Sequence, residues 1–176
     1  NNNMPFEFCK SNKRRYNRLS EQLRSELDAV EPSKDQNMKY YPCLVMMKEG
    51  VEIDKVYVIP AQRYIEFWGV WPEEDPAKKY IDVTKILHIK KSPNRLPVYI
   101  ANKIYDAGES GMGYYIFTLV FSDGLKQAYQ TGGVVDFVPM PEGKKIENVI
   151  DVITHKGREE KHILKGEDYF WCLFEE

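Results

Sequence analysis

The chain has 176 residues, 43% hydrophobic and 30% charged, with 25 Lys and Arg against 27 Asp and Glu for a formal net charge of −2. That length predicts one domain burying roughly 70% of its unfolded surface, so neither metal nor disulfide is needed for folding. The composition excludes a wholly disordered or collagen-like chain, the charge balance argues against a dedicated nucleic-acid domain, and no apolar run approaches the ~18 residues of a membrane span. Cys9, Cys43 and Cys172 are far apart and none sits in a CxxC, which points to reduced thiols and a cytoplasmic setting. The N-terminus carries no secretory pattern, and Met4, after Asn1–Asn3, is the expected natural start.

In chain order, residues 11–31 read as an amphipathic helix, because Tyr16, Leu19, Leu23, Leu27 and Val30 recur three or four apart. Ser11 is the N-cap candidate and Pro32 the stop. The first half is basic, with Lys10, Lys13, Arg14, Arg15 and Arg18, and residues 32–39 read as a polar linker. From Tyr40 the pattern becomes strand-rich, with strands expected at Leu44–Met47, Lys55–Ile59, Arg63–Trp68, Tyr80–Val83 and Ile86–Lys90. A second helix is expected over 96–107, opened by Pro97 and closed by Gly108. The apolar run Tyr114–Phe121 reads as a strand buried on both faces. It turns through a two-residue Asp123-Gly124 hairpin into Lys126–Gln130. Further strands are expected at Val134–Val138, across 146–153, at His162–Lys165 and at Tyr169–Phe174. No fixed-period repeat and no βαβαβ alternation is present, which argues against a doubly wound nucleotide fold.

The chemistry-bearing motifs are weak. Gly108-Glu109-Ser110-Gly111-Met112-Gly113 has the glycine spacing of a phosphate loop, but Tyr114 and Tyr115 stand where Lys and Ser or Thr are required. It also runs from helix into strand, so no helix N-terminus faces a phosphate. His155, His162 and Cys172 lack the close pairing of zinc ligands, and His88 is isolated. Cys43 and Cys172 sit in apolar strands, where thiols are inert. Glu52 and Asp54 share a strand face, most simply a solvated one. The basic run Lys10–Arg18 fits a solvated helix face or a phosphate-binding one. The aromatic cluster of Tyr64, Phe67, Trp68, Trp71 and Tyr80 fits either a small β core or a binding surface.

The expected fold is therefore α+β: a mainly antiparallel curved sheet or small β-barrel with an N-terminal helix and one inserted helix. Residues 1–39 would supply the N-terminal helix and linker, and 40–176 a single β-rich domain. The leading functional expectation is a non-enzymatic binding or interaction module using loops at one end of a sheet. Trp68, Trp71, Arg95, Glu109 and Ser110 are its binding residues, where the Trp68–Asp75 segment would meet the Glu109–Tyr114 loop. A protein or peptide is the expected partner, with no nucleic acid, membrane, metal or cofactor. The alternatives are a small hydrolase using His and carboxylates, and a nucleic-acid accessory protein using the basic helix.

Overall fold

The computed structural model describes residues 15–157 and 162–176. The element order is α1 (Glu21–Asp28), β1 (Ser33–Asp35), β2 (Met38–Met47), β3 (Glu52–Pro60), α2 (Ala61–Trp68), β4 (Lys79–Tyr80) and β5 (Ile86–Lys91). It continues with α3 (Val98–Ala107), β6 (Tyr115–Phe121), β7 (Lys126–Thr131), β8 (Val149–His155), β9 (Leu164–Lys165) and β10 (Phe170–Phe174). No helix among the described residues is long and apolar enough to cross a membrane.

Among the described residues the strands form two mixed sheets and no closed barrel. Sheet I has the order β1-β2-β3-β10-β4, with β5 also paired to β2. Sheet II has the order β8-β6-β7-β9. The hairpins are antiparallel as expected, but β10 runs parallel to both β3 and β4, and β9 parallel to β7. The last strand thus inserts between β3 and β4 of a sheet begun more than a hundred residues earlier. Period-two alternation then sends neighbouring side chains to opposite faces. Val56, Val58, Cys172 and Phe174 face α1 with its Leu23 and Leu27, whereas Tyr57, Ile59, Trp171 and Leu173 face sheet II and α3.

Local chemistry explains where the elements depart from expectation. The first helix begins at Glu21, because the Ser20 hydroxyl caps the Leu23 N–H at 3.2 Å. Upstream, Arg18 pairs with Glu175 in a parallel bridge and the Glu175 N–H donates to the Asn17 carbonyl at 2.9 Å, so this segment follows the C-terminal strand. Arg15 and Arg18 are exposed and off the helix, while Ser11, Lys10, Lys13, Arg14 and Cys9 lie outside the described residues. The polar linker contains β1, whose Ser33 and Asp35 are buried. Arg63–Trp68, read as a strand, is the body of α2. Pro60 opens that helix, Gly69 closes it in the left-handed region at φ 79°, and Tyr64 and Ile65 are buried on its inner face. Val134–Val138 is irregular rather than a strand, and Tyr80–Val83 holds only the end of β4.

The central hairpin matches its reading with one adjustment. The Phe121 N–H donates to the Leu125 carbonyl at 2.8 Å, so three residues, Ser122–Gly124, make the turn, with Gly124 at φ 89°. β6 pairs with β7 on one side and β8 on the other, and Phe117, Leu119 and Phe121 are fully buried. The helix over Val98–Ala107 is present, and Gly108 ends it at φ 80°.

Candidate functional site

Between the two sheets lies a buried polar network. Asp136 comes from the irregular segment after β7 and is fully buried. Its carboxylate accepts from the Tyr57 hydroxyl at 3.0 Å, the Tyr105 hydroxyl at 2.7 Å and the Ser33 hydroxyl. Arg95, 4% exposed, donates to Ser33 Oγ at 3.0 Å and to the Glu31 carbonyl. The Val135 N–H donates to the Tyr105 hydroxyl at 3.0 Å. Burial first, and the Asp136 charge second, hold both tyrosines well above the ordinary phenol range. Burial also pulls the Arg95 guanidinium down, against the Asp136 charge. This network joins β1, β3 and α3 to the loops that carry Arg95 and Asp136.

One member, itself fully buried, backs an open cleft. The Tyr57 ring lines a cleft of about 430 Å³ with Phe137, Tyr169 and Val134, Gln130–Gly132, Gly113–Tyr114 and the Lys165–Asp168 crossover from sheet II to sheet I. The aromatic floor is built edge to face: Tyr169 meets Tyr57 at 5.2 Å and Trp171 at 5.5 Å, and Tyr57 meets Phe137 at 5.2 Å. The crossover is pinned, because Gly166 N–H donates to the Gln130 carbonyl at 2.9 Å and Glu167 N–H to the Phe137 carbonyl at 3.1 Å. Glu167 also pairs with Lys55. A bulge makes that pair possible. Cys43 opposes Val56 and Val45 opposes Ile53, so Asp54 and Lys55 together face Leu44, with Lys55 at φ 59°. A smaller lobe of about 120 Å³ shares Glu167–Tyr169 and adds Ala77, Lys78, Lys79 and Trp171.

None of the five sequence-predicted site residues lines this cleft. Trp71 is 3% exposed and packs on Tyr16 with ring centres 5.4 Å apart, so it belongs to the core and offers no exposed anchor. Trp68 is half-buried and borders the cleft indirectly. Its ring sits where a Gly133 side chain would start, 2.7 Å from an added Cβ, and Lys78 Nζ lies 4.3 Å above it. Arg95 is committed to the buried network. Glu109 is exposed and accepts from the Gly113 N–H at 2.5 Å. Ser110 Oγ accepts from the Ile116 N–H at 2.7 Å, tying the glycine loop to β6. That loop does contribute Gly113 and Tyr114 to the cleft wall, so its expected neighbourhood and the cleft coincide in part.

Asp136, Tyr57 and the Lys165–Tyr169 crossover escaped the sequence reading. The one available signal was an acid inside the apolar run Val134-Val135-Asp136-Phe137-Val138, since a buried carboxylate requires partners. The histidines lie elsewhere. His88 pairs with Glu26 at 2.9 Å on the surface, and His155 contacts Thr118 at 2.8 Å. Among the described residues no group of three or more His, Cys, Asp and Glu is arranged to hold a metal ion. Comparisons with family models, with curated proteins and with solved structures find no match.

Proposed function

We propose that this protein is a non-enzymatic binding module whose partner places a peptide-sized group in the cleft between the sheets. The observation that carries this reading is the lining itself: an aromatic floor, three glycines in the walls and a polar rim. Aromatic area held by a rigid sheet binds at small ordering cost, and glycine walls let a ligand approach the backbone. A volume of about 430 Å³ lies in the usual range for ligand clefts. Among the described residues the lining holds no histidine, cysteine or serine, and its Glu167 and Asp168 carboxylates are engaged by Lys55 and Lys79. These features favour binding over the hydrolase alternative, which needs an activated nucleophile or a free acid–base pair. The reading is tested by titrating ¹⁵N-labelled protein with a panel of N-acetylated amino-acid amides. Saturable shifts at the Gly113, Thr131, Gly132 and Gly166 amides are expected. Shifts confined to the separate groove of about 720 Å³ beside Arg95 and Tyr99 would contradict it.

A further inference from the structure

We propose that the cleft recognises the main chain of its ligand: the Gly132 N–H, at the uncovered end of the β7 edge, donates to a carbonyl of an extended peptide segment laid beside sheet II, with one apolar side chain of that segment on the aromatic floor. This deepens, and rests on, the reading of the cleft as a binding site.

The direction of that N–H follows from the ladder. Strand β9 covers only Tyr129 and Gln130 of β7. The Gly166 N–H then closes on the Gln130 carbonyl at 2.9 Å, and the chain turns away to Phe137, whose carbonyl accepts from the Glu167 N–H at 3.1 Å. Gln130 thus points its polar groups outward, and Thr131, one residue on, pairs inward with Tyr115 of β6. In a trans peptide the Thr131 carbonyl and the Gly132 N–H point in opposite directions, so this N–H faces outward on the crossover side. Gly132 is exposed and lines the cleft, and among the described residues its N–H meets no acceptor.

Three other edge strands are closed by side chains. On β1 the Lys34 N–H donates to Asn102 Oδ1 at 2.8 Å, on β5 the Ile89 N–H to Glu26 Oε1 at 3.3 Å, and on β8 the Val152 N–H to Asp151 Oδ1 at 2.8 Å. Such caps keep a foreign strand from pairing there. Gly132 has no such cap, and an added Cβ there meets nothing within 4 Å, so a second backbone can come alongside. Main-chain bonding at a sheet edge gives affinity, and a neighbouring pocket selects the side chain. Tyr57, Phe137 and Tyr169 form that pocket in the same cleft, which defines the ligand as an extended segment carrying a large apolar residue.

The test follows the Gly132 amide by NMR in the full chain. N-acetylphenylalanine N-methylamide is the peptide probe, and phenethyl alcohol keeps the ring but lacks the carbonyls. At saturation the amide probe is expected to move the Gly132 proton downfield and to slow its solvent exchange by about tenfold or more, and phenethyl alcohol to do neither. Gly132→Pro removes the donor without breaking a bond inside the fold. Checked for an unchanged melting temperature, it should bind the amide probe about tenfold more weakly, the worth of one hydrogen bond. If that variant loses stability, the exchange measurement on the parent decides alone. Saturable shifts at Gly113 and Gly166 with Gly132 exchange unchanged, or equal slowing by both probes, would overturn the edge pairing and leave the cleft reading standing. Absence of any saturable cleft shift with either probe would count against both.

Discussion

The two faces of sheet I are built from the same strands and do different work. Toward α1 the sheet presents Cys43, Val45, Met47, Val56, Val58, Cys172 and Phe174, packed on Leu23, Leu27 and Val30. This layer is apolar throughout, and burial pushes the Cys43 thiol up to about 12 and the Cys172 thiol higher still. Toward sheet II the same strands present Tyr40, Tyr57 and Trp171, aromatic bodies with polar tips, against a buried carboxylate and guanidinium. The first face is apolar packing against α1. The second also backs the cleft, because Tyr57 belongs both to the Asp136 network and to the cleft lining. A single alternation, Val56-Tyr57-Val58, separates the two roles.

Breaking the polar face should cost most. Asp136→Leu leaves Arg95 without its counter-charge and three buried hydroxyls, of Ser33, Tyr57 and Tyr105, without an acceptor, a loss expected to be on the order of 3–5 kcal/mol. Urea unfolding of the variant beside the parent measures it, and a loss below about 1 kcal/mol would mean that the network is not a structural tie. Breaking the apolar face should be slightly milder and silent at the cleft. Leu27→Ala removes a side chain that is 2% exposed, for an expected loss of about 2–5 kcal/mol. Its amide spectrum should keep the Gly113, Thr131 and Gly166 positions.

The smallest effect has a defined sign with pH. Asp35 is buried and its pKa is raised above 3.8, by burial first and by the Glu109 charge second, while a hydrogen bond from Tyr115 opposes the shift. Its ionised form is therefore disfavoured in the fold, and the penalty grows as pH rises through the folded pKa. Asp35→Asn removes the penalty and keeps an acceptor for Tyr115. A modest rise in melting temperature at neutral pH is expected, shrinking to nothing as pH falls below 3.8. A gain that persisted in acid would point to some cause other than charge.

The legible parts of the fold were those whose signals are local. The β6–β7 hairpin follows from an apolar run and a glycine turn, β10 from an aromatic run, and α3 from Pro97, Gly108 and a four-residue period. α2 was hidden because Tyr64-Ile65-Glu66-Phe67-Trp68 has strand-like composition, although Pro60 and Gly69 bracket it. β1 was hidden because its buried residues are polar and are satisfied from far away. Ser33 meets Asp136 across 103 positions and Tyr57 meets it across 79, and nothing local encodes such pairings. The parallel insertion of β10 has the same long-range origin. The site expectation followed the aromatic sequence cluster, and burial took Trp71 from it. The cleft is assembled instead from segments far apart in sequence: Tyr57 of β3, the end of β7, the Val134–Phe137 segment and the crossover.

Gly132 offers the most direct test. It lines the cleft, has no positive φ, and an added Cβ there meets nothing within 4 Å. Gly132→Leu should therefore fill the cleft while leaving the fold intact. Titrated with N-acetylphenylalanine N-methylamide, it is predicted to melt within about 2 °C of the parent, since surface changes cost within ~0.5 kcal/mol, and to bind at least tenfold more weakly. Unchanged affinity in a variant that is folded to the same extent would contradict the assignment of the cleft as the binding site.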